Sequence, residues 1–203
     1  MNPLRHAAAL AFTAFLFGPA LAQNAVNTDP AAVAAGSYAL ETHHARILFA
    51  VSHMGFSTWY GDFSGATGSL TLDPKNPAAA RLEVSIPVSS VSTTNATLDA
   101  ELKSPAWFDA AKFPAIAFKS TKITRTGPAT AEVAGDLTFH GVTRPVTLEA
   151  AFKASGVNPM DKAYTIGFAV TGRLKRSDFG VTTYVPLIGD EVELTISAPF
   201  EKK

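Results

Sequence analysis

From Ser37 onward most of the chain alternates apolar and polar residues with a period of two, and nothing else in the sequence restricts the fold as strongly. Successive side chains of a strand point to opposite faces, so this alternation describes strands with one buried and one solvated face. The cleanest run sets Ile47, Phe49, Val51 and His53 on one face and Arg46, Leu48, Ala50 and Ser52 on the other. The pattern recurs at Leu82, Val84, Ile86, Val88; at Ile116, Phe118; at Val133, Gly135, Leu137, Phe139; at Val146, Leu148, Ala150, Phe152; at Tyr164, Ile166, Phe168, Val170; and at Val192, Leu194, Ile196, Ala198, Phe200. A further strand around residues 63–72 carries Gly65 and Gly68 and is predicted to bend or bulge.

About eight strands result, mostly antiparallel because their connections are short. His140-Gly141-Val142 reads as a hairpin turn, and residues 73–77 (DPKNP) and 126–128 (TGP) as turns by composition. Alternation alone does not choose between a barrel and a sandwich. Strand length favours the barrel: runs such as 46–54 and 163–174 exceed the roughly 5 to 6 residues usual for a strand. One segment departs from the pattern. Residues 97–104 (TLDAELKS) suit a short helix, with Leu98 and Leu102 on one face, Thr94 or Asn95 as cap and Pro105 as terminator. A single short helix beside long strands points to a lid or plug at one barrel end.

Ahead of this domain, residues 1–22 have the order of a secretory signal peptide: Arg5, an apolar run from Ala7 to Phe17, then Ala20-Leu21-Ala22 as a small-x-small cleavage site. The expectation is a periplasmic protein cleaved after Ala22, with residues 23–36 as a flexible leader and 37–203 as one barrel domain. The chain balances 17 Lys+Arg against 17 Asp+Glu without a basic cluster, which offers no footprint for nucleic acid. No later stretch is apolar enough for a stable membrane insertion as a helix. With no cysteine, the fold rests on its core, and thiol chemistry and cysteine metal sites are excluded.

Histidine is the first place to look for catalysis. His44 and His53 stand near opposite ends of one strand, about 30 Å apart, and cannot share a metal ion. His140 lies at a turn, so hydrogen bonding at barrel rims is the simpler role for these rings. No G-x-S-x-G elbow, P-loop or dinucleotide fingerprint occurs, and the acidic pairs Asp99/Glu101 and Glu191/Glu193 fit solvated faces. Neither a catalytic residue, a metal ligand nor a cofactor is assigned.

Several ordered motifs carry a resemblance. They are His44 followed by Ile47-x-Phe49-x-Val51-x-His53 and Gly55; Gly61-x-Phe63 and Gly68-x-Leu70-x-Leu72-Asp73; Asp99-x-x-Leu102-Lys103-Ser104; Trp107-Phe108-Asp109 with Phe113-Pro114-x-Ile116-x-Phe118-x-Ser120; Gly135-x-Leu137-Thr138-x-His140-Gly141-Val142-Thr143; and Arg176-x-Asp178-Phe179-Gly180. In these, from Tyr38 to Phe200, the chain resembles the YceI-like family. Trp107, where the family often has Phe, and His43 before His44 are slight departures. The resemblance implies a lipocalin-like, eight-stranded antiparallel barrel, usually periplasmic, whose apolar lumen in some members holds a polyisoprenoid or another long amphiphile. It implies binding rather than a defined reaction.

Strand parity assigns the lumen lining to Ile47, Phe49, Val51, Val84, Ile86, Phe118, Leu137, Phe139, Leu148, Ile166, Phe168 and Ile196. Trp107, Phe108 and Phe179 are expected as mouth aromatics, with His53, Lys103, Arg173 and Arg176 as candidates for an anionic headgroup at the rim. The partner expected is a polyisoprenoid lipid. A different amphiphile such as a fatty amide or quinone, a metal-dependent hydrolase at the rim, and a barrel filled by its own side chains are the alternatives, and a homodimer stays open.

Overall fold

The computed structural model describes residues 26–203, so the signal-peptide assignment lies outside the described residues. Ten strands form one antiparallel sheet: β1 Gly36–Leu40, β2 Arg46–His53, β3 Ser57–Phe63, β4 Thr67–Leu72, β5 Arg81–Pro87, β6 Ala115–Arg125, β7 Thr130–Phe139, β8 Val142–Val157, β9 Tyr164–Lys175 and β10 Ile188–Lys202. They make eight staves, because two staves are broken. β1 and β2 lie end to end along β10, pairing Leu40 with Phe200 and Ile47 with Ile196. β4 and β3 follow them on the other side. The ring closes where β1 bridges β4 and β10, giving the closed antiparallel barrel that alternation and length predict.

Local chemistry explains both breaks. Between β1 and β2 the Glu41 carboxylate accepts the backbone N–H groups of His43 and His44, at 2.7 and 3.0 Å, and turns the chain sideways before it resumes. Between β3 and β4 the chain bends at Gly65, whose φ of +65° suits a residue without Cβ. His140 and Gly141 both have positive φ, as a two-residue hairpin turn requires. The single helix, α1, spans Ala96–Lys103, with the Asn95 side chain accepting from Thr97 and Leu98 N–H.

The expectation of a flexible leader is corrected for residues 26–36. Asn27 exchanges two backbone hydrogen bonds with Ser155, a 3-10 turn covers Pro30–Ala32, and Val33 is buried. The Tyr164 hydroxyl receives the Ala34 N–H, and the Tyr38 hydroxyl donates to the Ala34 carbonyl. This strap crosses the barrel end where β1 starts. Its composition gave no period to read because it is held by isolated contacts rather than by a strand.

Candidate functional site

A cavity of about 490 Å³ runs along the barrel axis, within the usual range of ligand pockets. Among the residues assigned by parity, Ile47, Phe49, Val51, Val84, Ile86, Phe118, Leu137, Phe139, Leu148, Phe168 and Ile196 line it. Ile166 does not. It keeps the inward parity of Phe168 and pairs with Phe200, yet it is 0% exposed, packed into the wall instead of bordering open space. Leu82, Val146, Phe152, Val170, Leu174 and Leu194 also line the cavity, beyond the residues assigned from the sequence, and the same parity rule reaches them.

Glycines leave room for the larger lining groups. A Cβ on Gly135 would stand 2.4 Å from Cζ of Phe118, and one on Gly61 would stand 2.3 Å from Cζ of Phe49. Each ring therefore lies across a neighbouring strand where a side chain has been omitted. The same holds for Leu148 over Gly172.

One end of the cavity is sealed. Leaving β5, the chain runs through α1 and residues 104–114 and packs Leu102, Trp107 and Phe108 inward. Ring centroids then follow one another from Phe49 to Phe63 at 5.7 Å, to Phe108 at 6.1 Å, to Phe139 at 5.3 Å and to Phe179 at 5.8 Å. The expected mouth residues are thus corrected to a floor: Trp107 and Phe108 line the cavity there, and Phe179 is buried behind them.

The expected headgroup cations are corrected as well. Arg176 is only 4% exposed, and its guanidinium donates to the carbonyls of Gly189, Val181 and Ile188 at 2.8, 2.9 and 2.8 Å. Burial lowers its pKa, against which the Asp190 carboxylate acts, and the group pins the β9–β10 connection beneath Trp107. Arg173 has outward parity in β9 and pairs with Glu193 and Glu191, at 2.7 and 3.7 Å, on the outer surface. His53 closes β2 beside Trp59 at 5.8 Å, and Lys103 ends α1; neither lines the cavity. His140 bonds the Phe179 carbonyl at 3.1 Å and packs on Phe113.

The opposite end is the mouth. Its lips are the strap at Asp29, Pro30 and Ala31, the β4–β5 turn at Pro74 and Pro77, and the β6–β7 turn from Arg125 to Thr130. These are half-buried or exposed, unlike the floor. The site is thus a largely apolar tube, closed at an aromatic floor where the cation Arg176 donates to backbone carbonyls, and polar at its open lip. Such a shape removes an apolar chain from water and leaves a polar end hydrated. Among the described residues no group of three or more His, Asp or Glu stands close enough to hold a metal ion.

Comparison with known proteins places this geometry. Residues 38–200 match the YceI-like domain. The Protein YceI of Salmonella arizonae is 38% identical over 182 residues, which cover 90% of this chain and 94% of that protein. The crystal structure of Burkholderia cenocepacia BcnA shares the fold with a TM-score of 0.71 at 22% identity, over 79% of this chain and 98% of that one. A polyisoprenoid binding domain from Saccharophagus degradans shares it with a TM-score of 0.62 at 13% identity, over 82% of this chain and 98% of that one. With the match spanning nearly the whole barrel, the chain belongs to the YceI-like family.

Proposed function

We propose that this protein binds a polyisoprenoid lipid, its chain in the lumen and its polar end at the mouth, and serves to carry, store or sequester it in the periplasm. The observation that carries this reading is the continuous apolar wall of a 490 Å³ cavity that is sealed at one end. The fold shared with a polyisoprenoid binding domain supports it. At roughly 0.8 kcal/mol per buried carbon, three isoprene units give about 12 kcal/mol gross, against an association cost of about 4 to 15. A preformed cavity and a longer chain are what make binding tight. The reading is of a binder and not of an enzyme.

Native mass spectrometry of the protein purified from its own compartment, followed by organic extraction, tests it. A stoichiometric polyprenyl lipid is the expected result. A stoichiometric fatty amide or quinone would move the assignment to that amphiphile. A protein that emerges empty and refuses added polyprenyl lipids would overturn the reading.

A further inference from the structure

The mouth carries information about the ligand's polar end. Four charged residues border the cavity, Asp29, Arg125, Arg173 and Arg176, the third through its backbone since its side chain points outward. Arg176 is at the sealed floor with its donors on three carbonyls, and Arg173 is held by two glutamates on the outer face. Asp29 caps the 3-10 turn, accepting the Ala31 N–H at 2.9 Å. Arg125 makes no ion pair among the described residues.

Arg125 reaches the lip through a bulge. The register between β6 and β7 shifts between Ser120 and Lys122. Before the shift the even residues Ile116 and Phe118 face inward; after it, the odd residues Ile123 and Arg125 do, opposite Val133 and Ala131. Without that extra residue Arg125 would project outward. Its Nε and Nη2 donate to the carbonyls of Gly127 and Pro128 at 2.8 and 3.0 Å, which fixes the guanidinium on its own turn. Two of the five N–H groups are thereby used, and the other three have no partner among the described residues.

We infer that the polar end of the bound lipid is an anion, a phosphate or carboxylate, and that Arg125 holds it at the mouth. The inference rests on the lipid-binding reading and adds the headgroup class. An unpaired, oriented guanidinium is suited to an oxyanion, and it stands where the head of a chain filling the tube would emerge. Asp29 on the strap bounds the site with the opposite charge.

Geranylgeranyl phosphate and geranylgeraniol, identical in chain, form the test pair, titrated into delipidated protein at low salt. Wild type should bind the phosphate roughly 5- to 10-fold more tightly than the alcohol, the solvent-exposed lip limiting the difference. R125Q should bring the phosphate down to the alcohol and leave the alcohol unchanged, and R125K should fall between. Equal affinity of wild type for the two lipids, or a phosphate preference that survives in R125Q, overturns the inference and leaves the lipid reading intact. Inorganic phosphate should not compete; if it displaces geranylgeranyl phosphate from wild type at equal concentration, the site is one for free anions and the inference fails. Uptake of neither lipid overturns both readings together.

Discussion

At the scale of single residues, two kinds of burial have to be kept apart. Phe168 faces the lumen between Phe152 and Phe200, at ring distances of 5.8 and 6.3 Å, where it meets the cavity and not a packed interior. Replacing it by aspartate sets an unpaired charge on the wall that a lipid tail must contact. Phe168→Asp should reduce lipid uptake by more than about 10-fold while the strands persist, since the group can draw water from the open tube. Unchanged uptake by a variant with wild-type circular dichroism would show that the tail does not pass this position. Asp190 illustrates the other kind. Burial would raise its pKa, but hydrogen bonds from the Ser177 hydroxyl and N–H, with the charges of Arg176 and Lys175, leave it below the usual carboxylate value. A carboxylate depressed in the folded state stabilises above its unfolded pKa and loses that contribution as pH falls through the folded value. Asp190→Asn should therefore lower the urea midpoint near neutral pH, by the equivalent of about 1 kcal/mol or less at this half-exposed site. The gap should close in acid below the carboxylate range, and a gap independent of pH would exclude ionisation as its source.

At the scale of elements, the devices that shape the site are interruptions of regular structure. The bend at Gly65, the bulge in β6 and the strap before β1 each break a period. The first was legible, since glycines inside an alternating run mark a bend. The second left a trace in the sequence: inward residues proceed from Phe118 to Ser120 and then to Ile123, a step of three. That step could have placed Arg125 on the lumen side. The strap left none, because Asn27 and Ala34 are held by partners more than a hundred residues away, Ser155 and Tyr164. It also supplies a direct experiment. Asn27 and Ser155 exchange two backbone hydrogen bonds, a pairing that brings Cα atoms to about 5.5 Å, within disulfide reach. In a chain without cysteine, N27C and S155C meet no competing thiol of the same chain. Oxidation should raise the melting temperature and slow release of a preloaded polyprenyl lipid in a stopped-flow assay, and reduction should restore wild-type release. Release at the same rate in both redox states would mean that the strap does not limit exit.

At the scale of the whole molecule, the barrel's apolar interior is only partly filled by itself. Lining residues such as Leu148, Val170 and Leu194 are half-buried despite facing inward, because they border open space. A ligand that fills this space binds the native state and not the unfolded chain, so it stabilises by about 2.7 kcal/mol at a hundredfold excess over Kd. Delipidated protein should melt several degrees below the loaded form, by differential scanning calorimetry at matched concentration. Coincident transitions would argue for a lumen that no lipid occupies. The sequence by itself determined eight of the ten strands, β1 and β3 being the two it did not show, with their antiparallel sense, the short helix with its cap, the inward set on most strands and the family, since each follows from side-chain period, turn chemistry or local motif. Only the tertiary structure decided which end is open. Trp107, Phe108 and Arg176 read as a mouth when an aromatic cluster and a cation were seen without their partners. Folded, the rings pack on Phe63 and Phe139, and the guanidinium is spent on three carbonyls. The difference between a floor and a mouth lies in contacts between segments distant in the chain, and local pattern carries no record of those.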